Sequence, residues 1–167
     1  MDILTKEDLK ALHIRDNGWS LSLFMPAHRA GRETEQDRIR FKNLLREAEQ
    51  RLLAKDIRFP DVQKLLKPAQ DLLQDSDFWR HQSDGLALFL STQTFRTYRL
   101  PLQFDELVVI SNRFHLKPLL TFFTNDGHFY LLALSQKQIR LLEGTRHTVD
   151  EVNMEKALPA ISEALQF

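Results

Sequence analysis

A change of hydrophobic period divides this chain. Between Phe41 and Leu73 the apolar residues return every three or four positions, the spacing of one face of a helix, whereas beyond Asp84-Gly85 they run together or alternate, the spacing of strands. Phe41, Leu44, Leu45, Ala48, Leu52 and Leu53 make one stripe, and Val62, Leu65, Leu66, Ala69, Leu72 and Leu73 make a second after Pro60. The first helix is expected to end near Lys55. Pro68 lies inside the second stripe. It lacks a backbone N–H and its ring crowds the preceding turn, so a kink or a break is expected there. The pair reads as a helical hairpin.

The strands read as follows. Trp19, Leu21, Leu23 and Met25 alternate with Ser20 and Ser22, which predicts a strand with one face in the core, ended by Pro26. Leu86–Leu90 and Phe95–Leu100 form a hairpin about Ser91–Thr94, and Leu107–Ile110 is a short strand. Asn125-Asp126-Gly127 is a turn, followed by a second hairpin of Phe129–Leu134 and Gln138–Leu142 that Gly144 closes. Thr5 with Asp8 resembles a capping box for a short helix from about Lys6 to Ile14, and Thr34 with Asp37 a cap pair for the long one. Asp77 is placed to cap the short segment that holds Trp79. Asn112–Phe123, weakened by Pro118, and Glu155–Phe167 are further helical candidates. The fold class is α/β of the α+β type: a mostly antiparallel sheet built from β-hairpins, packed against a long helical hairpin.

Charge and composition remove several functions. Lys plus Arg and Asp plus Glu are equal at 23 each, so the 167-residue chain has no global basic excess and any nucleic-acid contact rests on a local patch. A chain at zero net charge also self-associates more readily. The absence of cysteine excludes disulfides, thiolate metal sites and a thiol nucleophile, and fits a reducing cytosol. The polar start Met-Asp-Ile-Leu-Thr-Lys-Glu-Asp is no signal peptide, and the longest apolar runs are too short to span a bilayer, so a cytoplasmic protein without membrane contact is expected. The six histidines share no metal-binding spacing, and the five glycines are too far apart for a dinucleotide or phosphate loop. No catalytic residue, metal or cofactor is indicated.

Three constellations remain. The stretch from His28 to Arg58 carries nine Arg and Lys against six acids, a local net of +3. Its members His28, Arg29, Arg32, Arg38, Lys42 and Arg46 are candidates for touching an RNA backbone, against the plainer reading of a salt-bridged helix surface. Phe78-Trp79-Arg80-His81 could stack a base on Trp79 and grip phosphate through Arg80 or His81, or it could anchor the helical hairpin on the sheet. Asp71, Asp75, Asp77 and Asp84 could hold a metal, or simply solvate a helix end and a turn.

Several strings resemble a family. Residues 21–29 (LSLFMPAHR), 42–53 (KNLLREAEQRLL), 78–90 (FWRHQSDGLALFL) and 129–152 (FYLLALSQKQIRLLEGTRHTVDEV) are similar to a bacterial family related to archaeal and eukaryotic class-one peptide release factors. The resemblance implies an α/β N-terminal domain over 1–125. It also implies, over 126–167, a hairpin and helix like the start of the RNase-H-like middle domain, packed onto the first. The Gly-Gly-Gln that releases the peptide and the Asn-Ile-Lys-Ser that reads stop codons are both absent. What the resemblance implies is therefore binding at or near the ribosomal A site without peptide release. Two other readings stand beside it: a small metal-dependent hydrolase or nuclease using the Asp84 region, and a protein-interaction module dimerising through an exposed strand edge.

Overall fold

The structure, a computed structural model, describes residues 4–13, 18–31, 33–124, 129–134, 139–144 and 149–152. The fold class is α+β, with five helices and two antiparallel sheets among the described residues. The chain divides into two compact units, Met1–Leu119 and Leu120–Phe167.

In the first unit β1 (Ser20–Pro26) lies inside a four-stranded sheet of order β3-β2-β1-β4, with β2 at Gly85–Leu90, β3 at Phe95–Leu100 and β4 at Leu107–Ser111. Leu23 stands opposite both Leu88 and Val108, so the apolar rows of three strands come into line. On that face α2 (Glu33–Leu53) and α3 (Phe59–Leu72) bury their stripes. Phe41, Leu44, Leu45, Ala48, Leu52, Val62, Leu66 and Ala69 pack with Leu21, Leu23, Met25, Leu86, Leu88 and Leu90 in one core. The helices run antiparallel, as two cross-links show: Gln63 donates to Glu49 (2.6 Å) and Arg38 to Gln74 (3.4 Å). Leu53 falls off the stripe and is exposed.

The opposite face departs from expectation. Ser20 and Ser22 were placed by alternation on a solvent side, yet both are buried. Phe24 and Phe89 meet edge to face there, and Phe104, Phe114 and Tyr98 surround them. The Ser22 hydroxyl accepts the His115 N–H at 2.9 Å. A small polar residue inside a doubly covered strand is tolerated because its hydroxyl is satisfied, and that partner lies 93 residues away, invisible to local pattern.

Local signals held in part. α1 (Lys6–His13) opens with the reciprocal box: the Thr5 N–H donates to Asp8 (2.9 Å) and the Asp8 N–H to the Thr5 hydroxyl (3.1 Å). α3 passes Pro68 without a break. α4 (Ser76–Arg80) is capped by Asp75, which accepts the Phe78 N–H at 2.9 Å, and not by Asp77. α5 (Lys117–Thr124) begins five residues later than Asn112, which leaves Pro118 in the first turn, where its missing N–H is no loss.

In the second unit β5 (Phe129–Leu134), β6 (Ile139–Gly144) and β7 (Val149–Glu151) form a three-stranded antiparallel sheet. The third strand was not anticipated, and Gly144 lies inside β6 opposite Phe129, not after it. A Cβ at Gly144 would meet the Phe129 ring at 2.3 Å, so the glycine makes room for the cross-strand aromatic. Arg140 and Glu151 form a two-pronged ion pair across β6 and β7. The helix expected over 155–167 lies outside the described residues.

Two outcomes test this packing. A Cβ at Gly85 would sit 2.1 Å from the Leu102 carbonyl oxygen and 2.7 Å from the Phe104 ring. Gly85→Ala is expected to lower stability by about 1–3 kcal/mol, the usual penalty for overpacking, read as an earlier denaturation midpoint. The Thr5 N–H and hydroxyl hold the Asp8 carboxyl below the usual carboxylate range. A lowered folded-state pKa stabilises above the unfolded value and fades as pH falls through the folded one. Asp8→Asn should therefore be less stable than the parent at neutral pH, and the gap should close under acid titration through and below the ordinary Asp range.

Candidate nucleic-acid interface

The long helix α2 sorts its charges by height around its axis. Asp37 points inward and is fully buried. Its carboxylate accepts the His28 N–H at 2.8 Å, lies 2.9 Å from His28 Nδ1, and takes the Arg40 guanidinium at 2.9 Å. Arg40 reaches on to Glu106 at 2.7 Å, and His28 Nε2 lies 3.2 Å from Glu33. Asp37 is thus a tie between the loop after β1 and the first turns of α2. It is not a helix cap, as expected of it with Thr34; the Thr34 hydroxyl donates to the Gly31 carbonyl.

Of the expected contact residues, His28 and Arg29 are engaged within the fold. Arg29 grips Asp84 with two nitrogens, at 2.8 and 2.7 Å, and this pairing raises the guanidinium pKa. The next loop joins in, since the Ala27 N–H donates to the Asp84 carbonyl. Arg32 lies outside the described residues.

Arg38, Lys42 and Arg46 stand apart. They follow one another at intervals of four, so they line one side of the helix, and all are exposed. Among the described residues none has a carboxylate partner; Arg38 has only its contact to Gln74. The remaining described cations of this stretch are occupied: Arg51 by Glu47, Arg58 by Asp61, and Lys55 lies 4.8 Å over the Trp19 ring. Ile39 breaks the polar surface at 60% exposure. A groove of about 280 Å³ runs beside it, lined by Arg38, Ile39, Lys42, Leu73 and Gln74.

The aromatic string divides. Trp79 is buried, its indole N–H donates to the Leu72 carbonyl at 2.8 Å, and its ring meets Phe41 and Phe78 edge to face. It anchors α4 to the hairpin and offers no open face for a base. His81 is exposed and its Nδ1 lies 3.0 Å from the Asp77 carbonyl. Arg80 is exposed, without a carboxylate partner among the described residues, and lines a second groove with Arg38, Thr34, Glu35, Ser76 and Trp79. The aspartates do not converge. Asp75 caps a helix, Asp84 is held by Arg29, and Asp77 faces solvent beside His81. Among the described residues no group of three His, Asp or Glu could hold a metal.

Comparison with known proteins gives a partial match to one family. Residues 127–166 match the model of bacterial archaeo-eukaryotic release factor family 6. The matched stretch contains β5, β6 and β7, so the resemblance to bacterial release-factor relatives holds there. No curated protein matches the chain. Among solved structures an archaeal protein is similar at 18% identity and a TM-score of 0.48, over 87% of this chain and 42% of its own; this chain thus spans less than half its length. No helix among the described residues is long and apolar enough to cross a membrane.

Residue-by-residue spacing missed Ile39, Leu73, Gln74 and Ser76, which flank the free cations. Only the hairpin register could have found Leu73 and Gln74. The buried tie is directly testable. Asp37→Ala removes the acceptor of the His28 N–H and one of the two carboxylates on Arg40, which keeps Glu106, and is expected to cost about 1–3 kcal/mol, the penalty for a buried donor left unsatisfied. The check is chemical denaturation of both proteins, with a midpoint shift of the variant as the readout.

Proposed function

We propose that this chain is a release-factor-related binding domain that contacts RNA, at or near the ribosome, in the cytosol. It performs no peptide release of its own. The observation that carries the reading is the row Arg38, Lys42 and Arg46, exposed at helical spacing and without a carboxylate partner among the described residues. Among the described residues Arg29, Arg40, Arg51, Arg58 and Arg140 lie beside a carboxylate, and these three do not. Three neighbours left without one form a local positive field that a phosphate backbone neutralises. The rise along α2 between successive members is about 6 Å, close to the spacing of phosphates along a strand. The family match over residues 127–166 supports a translation-related role. Under this reading residues 1–125 act as the N-terminal domain, and 126–167 as the start of a middle domain.

A metal-dependent hydrolase centred on Asp84 gains no support, because that carboxylate is taken by Arg29. Self-association has one feature in its favour. β5 bears exposed Phe129, Tyr130, Leu131 and Leu132, and among the described residues no strand pairs with its outer edge.

The test is fluorescence anisotropy with a single-stranded RNA oligomer over a series of salt concentrations. Arg38→Gln, Lys42→Gln and Arg46→Gln together should weaken binding at every salt. They should also flatten the slope of log affinity against log salt by about 2, at roughly 0.7 per lost phosphate contact. An unchanged slope places the RNA elsewhere.

A further inference from the structure

We infer that β5 is a dimer edge: two copies of this chain pair their β5 strands antiparallel across a two-fold axis, which joins two three-stranded sheets into one of six strands. This stands apart from the RNA reading and gives self-association a defined geometry.

The other three sheet edges among the described residues are guarded. An open edge offers unpaired N–H and C=O groups to any strand, and proteins blunt it with charge, shortness or cover. On β4 the Arg51 guanidinium donates to the Val108 carbonyl at 2.6 Å. β3 carries Arg96 and Arg99. β7 is three residues long, and two of them are acids. β5 has none of these devices. Its six residues, Phe-Tyr-Leu-Leu-Ala-Leu, include no charge and no proline, and among the described residues no strand lies along its outer side. Phe129, Tyr130, Leu131 and Leu132 are between 48% and 65% exposed. Successive side chains point to opposite faces, so β5 is apolar and exposed on both. A near-continuous apolar run is the mark of a strand inside a sheet, not of one at its rim.

Charge selects a second copy as the occupant. At a two-fold axis each group near the axis faces its own duplicate, so a charge on the edge would repel itself. β5 carries none. On the neighbouring strand Arg140 holds Glu151 with two nitrogens, and the Tyr130 hydroxyl donates to Glu143 at 3.3 Å. The shapes also match. A two-fold through the edge keeps each face of the sheet on its own side, so only residues of the same face stand opposite one another. With Leu131 on the axis, Phe129 stands opposite Ala133 of the other copy, an aromatic ring against the smallest side chain of the strand. Tyr130 stands opposite Leu132. Side chains directly opposite have Cβ atoms about 5 Å apart, so all four exposed apolar residues gain a neighbour at once.

The test is sedimentation velocity of the full chain over a wide range of concentration, with Leu131→Lys beside it. The parent should move from 19.6 kDa towards twice that mass as concentration rises. Leu131→Lys sets like charges against each other on the axis and should stay monomeric throughout. Leu131 is exposed, so the change should leave the fold intact, which circular dichroism checks. The chain has no cysteine, so one introduced thiol reports the contact without background. Under mild oxidation Leu131→Cys should form a disulfide-linked dimer, because the opposed Cβ atoms lie near the span of a disulfide. Asp150→Cys, on the guarded edge β7, should not. A parent that stays monomeric at every concentration overturns the inference and leaves the edge to a different chain. A dimer that survives Leu131→Lys overturns it too, as does cross-linking no better at Leu131→Cys than at Asp150→Cys. None of these outcomes touches the α2 reading, which RNA binding tests.

Discussion

The arrangement of the whole basic surface depends on one buried carboxylate. Asp37 holds the backbone and ring of His28 on one side and the guanidinium of Arg40 on the other, at full burial. A buried charge is costly unless it is paired and hydrogen-bonded, and here the His28 N–H and the Arg40 guanidinium donate to it, with His28 Nδ1 also 2.9 Å away. The consequence is positional. The loop leaving β1 is fastened to the first turns of α2, and the rotation of the helix about its own axis is set. With Asp37, Phe41, Leu44 and Ala48 turned inward, Arg38, Lys42 and Arg46 have to face out.

The same arithmetic explains why some cations are structural and others free. Arg29, Arg40, Arg51 and Arg58 each lie beside a carboxylate and stitch the surface of the fold. Exposed pairs of this sort contribute little to stability, but they neutralise the positive charge near them. On the outer side of α2, Arg38, Lys42 and Arg46 have no such carboxylate among the described residues.

The legible parts of the fold were those encoded within one or two turns. The helical hairpin was readable because two apolar stripes recur at helical spacing, and the Thr5–Asp8 box because donor and acceptor lie three residues apart. Thr34 with Asp37 has the same spacing and means something else, since the partner that claims Asp37 is His28, upstream in a loop. Ser22 read as a solvent-facing residue because the aromatic layer covering it comes from the far end of the unit. Of the candidate contact residues, Arg38, Lys42 and Arg46 were visible as a helical row, but their lack of a carboxylate partner among the described residues was not. Whether a cation is free depends on residues distant in sequence, as the Arg29–Asp84 pair shows.

The measurement that tests the account most directly is co-sedimentation with purified ribosomes, at low and at physiological salt, of the parent chain and of the variant in which Arg38, Lys42 and Arg46 are reversed to Glu. The account predicts that the parent pellets with ribosomes at physiological salt and that the variant, equally folded, stays in the supernatant. A parent that remains in the supernatant at both salts, or a variant that pellets as well as the parent, contradicts it.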